Sequence, residues 1–380
     1  MCAKSLALNK ILTEIAAKGP LTFARFMDLA LYDRSAGYYA SGRAKIGRNG
    51  DFFTNVSVGP IFGEILASQF REMWRRLGTP AQFALVEQGA SDGRLAVDIL
   101  SAIGGDMLQA IEYWIIEPFP VLRSLQERAL TPLRTKVHWV EDLGELPAFD
   151  GIHFSNELVD ALPFHLIRSS GDQWKELCVA AIDDQLVLQV SEPGPPLADR
   201  LKGLPRRAEG TIAELRPLAC DWIHALAKKM NSGFVLIVDY GFTREELLAP
   251  HRTEGTYCCY RAHRRDTRPL DDPGEKDISA HVDFTTLAES ALDAGFRIEG
   301  FTDQHHYVVG ASQDLLRTLD HPPDPASQKS LRALKTLLHP ESMGTQFHYL
   351  ALSKGIDPSP GLSSFRFARD PQGQLFPSVA

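Results

Sequence analysis

The stretch Ala84-Leu-Val-Glu-Gln-Gly-Ala-Ser-Asp-Gly-Arg-Leu95 passes from an apolar strand pattern into a turn and then into a helix pattern. Gly89 and Gly93 let the backbone reverse sharply and let a ligand approach with no Cβ in the way. The following helix, behind a Ser91 or Asp92 cap, offers free N–H groups at its N-terminus. A dinucleotide would call for G-x-G-x-x-G, with its pyrophosphate on those groups. Here the glycines are spaced G-x-x-x-G, so hydride chemistry loses weight. S-adenosylmethionine (SAM) makes a different demand: its amino-acid end sits on the first strand's turn, and its ribose diol on an acid ending the second strand. Glu117 ends the run Tyr113-Trp-Ile-Ile-Glu117 and can accept both hydroxyl hydrogens. Glu141, Asp142 and Leu143 end a third strand pattern, where an adenine-edge contact is expected. Each feature alone also reads as an ordinary solvated strand end; their order along the chain favours a nucleotide-like ligand, because open α/β sheets bind beyond their strand C-termini.

A fourth strand leads into Phe154-Ser-Asn-Glu-Leu-Val-Asp-Ala-Leu-Pro163. Asn156, Glu157 and Asp160 leave the sheet edge together, and such a cluster can hold a cationic or proton-losing nucleophile during attack on a methyl group. Methyl transfer is an in-line displacement, in which positioning and charge complementarity matter more than a strong base. The alternative is a capped turn with Asp160 bonded to local backbone N–H groups.

These residues need a scaffold, and the apolar periodicity supplies one. Strands are expected at 83–87, 113–117, 137–140, 151–155, 234–239, 296–301 and 347–353, with helices at 92–103 and 121–130, the alternation of a parallel, doubly wound sheet. Ahead of them, Leu8, Ile11, Leu12 and Ile15 mark one helix face, a second helix starts near Thr22, and a third spans 60–76. The region from 164 to 232 differs: 165–168, 174–180 and 185–190 read as short antiparallel strands, and 213–229 as a helix. The chain after Gly355 is rich in Pro, Ser and Gly and is expected to pack loosely. His305 and His306 are read on a strand, pointing to opposite faces, which argues against a metal pair; no metal site is expected.

The 380 residues carry a net charge of −8 with 44% hydrophobic and 23% charged residues, the balance of a globular protein. An acidic chain does not favour nucleic acid as a partner. The five cysteines include no C-x-x-C pair, which points to reducing surroundings. The N-terminus shows no apolar h-region or Arg-rich transit pattern, and no apolar window of about 18 residues suits a membrane span. The cytoplasm is the expected compartment.

Several longer motifs resemble those of the MidA-like SAM-dependent methyltransferases, whose mitochondrial members are respiratory complex I assembly factors and protein arginine methyltransferases. They are Tyr32-Asp-Arg-Ser-Ala-Gly-Tyr-Tyr39, Ile46-Gly-Arg-Asn-Gly-Asp-Phe-Phe-Thr54, Phe62-Gly-Glu64, Val86-Glu-Gln-Gly89, Glu117 with Gln126, Asn156 to Pro163, Val238-Asp-Tyr-Gly241, Gly255-Thr256, His263 and Asp277-Ile-Ser-Ala-His-Val-Asp-Phe284. The resemblance covers roughly residues 8–354. It implies that Gly50, Asp51 and Phe52 lie close to SAM in a covering loop, that Glu87 and Gly89 flank its methionine end, that Glu117 binds the ribose, and that Asn156, Glu157 and Asp160 face the methyl acceptor. One departure stands out: the family reads acidic-x-Gly-x-Gly-x-Gly in the first turn, and here Ser91 takes the middle glycine position, where it can donate to the SAM carboxylate.

The expectation is therefore an α/β, Rossmann-like SAM-dependent methyltransferase sheet with an N-terminal helical region and an antiparallel β/helix insert. Its parts are N-terminal helices and cofactor-covering loop (1–80), core first half (81–163), insert acting as substrate lid (164–232), core second half (233–355) and a loosely ordered tail (356–380). The cofactor-binding set is Gly50, Asp51, Phe52, Glu87, Gly89, Ser91, Gly93, Glu117, Asp142 and Asn156; the catalytic set is Asn156, Glu157 and Asp160. The leading function is methyl transfer to a protein side chain, with arginine favoured by the resemblance and a respiratory-complex subunit as an implied partner. A non-catalytic SAM-binding assembly factor and a small-molecule O- or N-methyltransferase remain open, as do monomer and homodimer.

Overall fold

Seven apolar runs form one sheet: β1 (Phe83–Gln88), β2 (Ile111–Ile116), β3 (Val137–Val140), β4 (Phe149–Asn156), β5 (Met230–Phe242), β6 (Arg297–Asp303) and β7 (Phe347–Lys354). The structure is a computed structural model that describes residues 5–42, 54–261, 264–313, 316, 324–358 and 361–377. The strand order is β6-β7-β5-β4-β1-β2-β3, with the short strand Val282–Asp283 added in parallel at the end of β5. β1 to β5 pair in parallel and β7 is antiparallel to both its neighbours. The order reverses between β1 and β4, and that switch point opens a crevice at the strand C-termini.

Alternation along each strand feeds two cores, because successive side chains point to opposite faces. Phe83 and Leu85 join one apolar cluster with helices Ile61–Arg76 and Arg94–Ala102. Ala84 and Val86 join the other, with helices Pro217–Lys229 and Phe284–Asp293. Each buried Leu, Ile or Phe in these layers contributes on the order of 1.5–3 kcal/mol through removal from water, which fixes the strand ends that carry the polar residues below.

A second, antiparallel sheet joins His165–Ser170, Gln173–Ile182, Gln185–Ser191, Ile212–Leu215 and the N-terminal pair Leu21–Thr22. Its apolar face shares a cluster with Ile11, Phe23 and Phe26 of the N-terminal helices. Here the expected helix 213–229 is corrected: Ile212–Leu215 is a strand paired with His165–Arg168, and the helix starts at Pro217. Proline lacks the N–H that a helix interior needs and is tolerated in the first turn. A three-stranded sheet of Arg264–Asp266, Cys258–Arg261 and Asp277–Ser279 was not foreseen from the sequence.

Two further corrections follow. The segment 361–377 packs rather than trailing loosely: Leu362, Phe365 and Leu375 are buried, and Ser363 bonds to Glu72. His305 and His306 lie on the helix Gln304–Ala311, where they meet the Leu338 carbonyl and Asp303 respectively. Among the described residues no cluster of His, Cys, Asp and Glu has the makings of a metal site, and no helix is long and apolar enough to cross a membrane.

Candidate active site

A cavity of about 780 Å³ occupies the crevice at the ends of β1, β2, β4 and β5. The turn after β1 builds part of its wall. Gly89, Ser91 and Gly93 all have positive φ, at 86°, 48° and 80°, in the region where an ordinary side chain is strained. Gly89 and Ser91 line the cavity. Gly93, expected in the cofactor-binding set, stands in the same turn but off the lining. It lets the turn press against the helix Pro120–Ala129: a Cβ there would stand 3.0 Å from the Gln126 Cα. Gly93 is the N-cap of the following helix, and Asp92, expected as a possible cap, instead closes the turn before it by accepting from the Arg94 N–H at 3.1 Å.

Glu87, next to last in β1, is almost wholly buried and accepts from the Tyr113 hydroxyl at 2.7 Å, and burial pushes its carboxyl up to about 7. Glu117 follows β2. Its Oε1 accepts from the Phe119 N–H at 3.0 Å and its Oε2 from Gln126 Nε2 at 2.8 Å. Burial pushes this carboxyl, too, up to about 7. Two of the roughly four lone-pair sites of the carboxylate are thus used, and the rest remain for a diol. Gln126 also donates to the Ser91 carbonyl at 2.9 Å and accepts from the Trp139 indole at 3.0 Å. One amide therefore couples the β1 turn to Glu117.

Asp142 does not reach the cavity. Its Oδ1 caps its own turn by accepting from the N–H groups of Gly144 and Glu145, where an adenine contact is expected. A short polar side chain after a strand finds its nearest backbone donors first. Gly50, Asp51 and Phe52 lie outside the described residues, while the adjoining Thr54 lines the cavity.

At the β4 and β5 ends, the structure brings Asn156, Glu157 and Asp160 together on the cavity wall. Asn156 Nδ2 donates to Glu157 Oε1 at 2.9 Å, while its Oδ1 is buried with no partner. Glu157 is held at φ 54° with its N–H bonded to the Val238 carbonyl. Burial, with the nearby Asp160 carboxyl, pushes Glu157 up to about 8. Asp160 is likewise raised by burial and by Asp239 and Asp277.

Asp239 and Asp277 were quoted within sequence motifs but not assigned to the site. Asp239 Oδ2 accepts from the N–H groups of Val159 and Asp160 at 2.8 and 3.2 Å, so it shapes the turn that presents Asp160, and burial pushes it up to about 7. Asp277 accepts from the Tyr39 hydroxyl and lines the cavity. The signal for both was an acid at the end or start of an apolar strand run, which is too common to single them out. The Arg216 guanidinium lies behind the wall and donates to the carbonyls of Asp160, Leu162, Ala280 and His281.

These residues fit SAM. Gly89 gives a turn without a Cβ, Glu117 keeps acceptor capacity for the ribose, and the orphaned Asn156 Oδ1 is a buried acceptor suited to a cationic group. Comparison with known proteins agrees. The family model for S-adenosyl-L-methionine-dependent methyltransferases matches residues 65–302. The protein arginine methyltransferase NDUFAF7, mitochondrial, of Xenopus tropicalis is 28% identical, the alignment covering 91% of this chain and 85% of that protein; its Homo sapiens counterpart is 27% identical over 98% and 88%. A COG1565 superfamily member from Burkholderia thailandensis, solved with S-adenosyl-homocysteine (SAH) bound, superposes with a TM-score of 0.87 at 29% identity, covering 95% of this chain and 94% of that one. The Xenopus and human relatives are named as mitochondrial proteins, which overturns the cytoplasmic expectation. Cysteine spacing separates oxidising from reducing surroundings and cannot tell one reducing compartment from another. With the family matched over more than half its length, the chain belongs to the S-adenosyl-L-methionine-dependent methyltransferases, and SAM is its cofactor.

Proposed function

We propose that this chain methylates arginine side chains of a protein substrate. The observation that carries the reading is the gathering of Glu157, Asp160, Asp239 and Asp277 around the end of β4, three of them on the cavity wall. Burial raises the carboxyls of Glu157, Asp160 and Asp239, and Arg216 is engaged with carbonyl oxygens. A guanidinium keeps its charge at neutral pH and binds carboxylates in bidentate fashion, so its entry replaces labile protons with a fixed cation.

When bound, SAM supplies a methyl group on a positively charged sulfur, set for in-line displacement. Glu157 and Asp160 orient the acceptor nitrogen and take up the proton it sheds. Asn156 fixes the Glu157 carboxylate through its 2.9 Å bond, and Asp239 fixes the backbone that presents Asp160. Glu87, Gly89, Ser91 and Glu117 hold the cofactor, with Gln126 as the positioning residue behind Glu117. The relatives named as protein arginine methyltransferases support the choice of acceptor, and the resemblance in motifs supports a respiratory-complex subunit as substrate.

Mass spectrometry of proteins from a strain lacking this chain tests the reading. An arginine methyl mark should disappear, and should return with the wild-type chain but not with Glu157→Gln. Loss of no arginine mark, or full restoration by Glu157→Gln, would contradict it.

A further inference from the structure

The cavity that holds Glu157, Asp160 and Asp277 is also lined by two arginines that methyl transfer leaves without a task, Arg252 and Arg265. The Arg252 guanidinium sits 4.6 Å from the Phe242 ring centroid, and its Nε is buried with no hydrogen-bond partner. Arg265 extends from Arg264–Asp266 at the exposed rim, opposite Tyr260 in the register. His281 meets Phe242 edge-on at 5.0 Å. Burial, with the charges of Arg252 and Arg265 and of His348 and Arg216, pushes His281 down to about 4.

Other arginines of the fold have found anions or carbonyls: Arg76 pairs with Glu72, Arg244 with Glu289, and Arg216 with four backbone oxygens. Among the described residues, no carboxylate pairs with Arg252 or Arg265. A half-buried guanidinium without an anion is costly, and an anion on the ligand would offset that cost. The cavity therefore carries both signs of charge: carboxyls at the end of β4, one guanidinium beside Phe242 and a second at the rim across from Tyr260.

We propose that Arg252 and Arg265 bind the side-chain carboxylate of an Asp or Glu that neighbours the acceptor arginine in the substrate. This rests on the arginine reading of the carboxyl cluster. Recognition is then two-point: the acceptor cation enters among Glu157, Asp160 and Asp277, and a flanking acid reaches Arg252 and Arg265. A flanking lysine meets like charge and is rejected, so the same pair sets specificity by repulsion as well as attraction.

Calorimetric titration of the full-length, SAH-loaded protein tests this with C-terminally amidated peptides. The set has a central Arg flanked on both sides by Glu, by Gln or by Lys, and a Glu-flanked peptide with central Ala. The Glu-flanked Arg peptide should bind about tenfold tighter than the Gln-flanked one, between the effects of exposed and buried ion pairs, and the Lys-flanked one weakest. Arg252→Ala and Arg265→Gln should each shrink the Glu–Gln difference while keeping the Arg–Ala difference. Arg265→Gln, at the rim, keeps the test valid if Arg252→Ala disturbs the packing on Phe242. Equal affinity for Glu- and Gln-flanked peptides, or a difference that survives both substitutions, would overturn the proposal. Loss of the Arg–Ala difference would instead overturn the arginine reading, and no binding by any peptide would count against both.

Discussion

Gln126 and Glu117 meet through a 2.8 Å hydrogen bond below the cavity wall, and the same Gln126 nitrogen reaches the Ser91 carbonyl. The cofactor's expected sugar ligand is thus fixed by a residue that lines nothing. Gln126→Leu leaves Glu117, the Ser91 carbonyl and the Trp139 indole short of a partner. It should lower SAH affinity at least tenfold and cost about 1–3 kcal/mol of stability through unsatisfied buried groups. Calorimetry with SAH and urea unfolding check both; unchanged SAH affinity would remove Gln126 from the positioning of Glu117.

Ser91 stands at φ 48° where the family pattern has glycine. Ser91→Gly should relieve the left-handed strain, offset in part by the entropy that glycine adds to the unfolded chain, for a net gain of up to about 1 kcal/mol. If the Ser91 hydroxyl also donates to the cofactor, SAH affinity falls in the same variant. Thermal melts with and without SAH separate the two effects.

Gly93→Ala should be harmful although Gly93 is off the wall. Its φ is 80° and the new Cβ would press on the Gln126 backbone at 3.0 Å. A loss of about 1–3 kcal/mol is expected, with weaker SAH binding as Gln126 shifts. Unfolding by urea and SAH titration read the two consequences.

Stability of the ligand-free protein should fall as pH rises through neutrality. Glu87, Glu117 and Asp239 stand near 7 and Glu157 near 8, above their ordinary values of 4.5 or, for Asp239, 3.8. The folded protein therefore holds more protons than the unfolded chain between those limits, and its stability is greatest below the window and is lost as the pH climbs through it. His153 acts oppositely: burial lowers it from 6.5 to about 3, so its contribution is lost as pH falls below 6.5. From pH 6.5 to 8 the carboxyls dominate, with the remaining titration of His153 and His281 opposing them slightly, and a net loss of about 3–4 kcal/mol is expected. Glu157→Gln should flatten the upper part of that slope in melts recorded across pH.

The strand and helix alternation from β1 to β4 was legible because apolar runs recur at regular intervals with helix patterns between them, and Glu117, Glu157 and Asp160 were legible as acids at strand ends. Asp142 looked the same in sequence, yet its carboxylate turned to the Gly144 N–H. Local backbone donors and a ligand compete for such a side chain, and sequence does not say which wins. Asp239 and Asp277 escaped assignment because their partners, the Val159 N–H and the Tyr39 hydroxyl, are distant in the chain. Ile212–Leu215 read as helix since its pairing with His165–Arg168 is a tertiary choice. The packing of Phe365 was hidden for the same reason: it docks where Gly300 leaves room, as a Cβ there would stand 2.3 Å from its ring.

Crystals of the SAH complex provide the sharpest test of how the two ends of the cavity divide the work. The ribose hydroxyls should lie within hydrogen-bond distance of the Glu117 carboxylate, the homocysteine end against Gly89 and Ser91, and the sulfur turned toward Glu157 and Asp160. A ribose placed away from Glu117, or a sulfur facing away from Glu157, would contradict this assignment of the site.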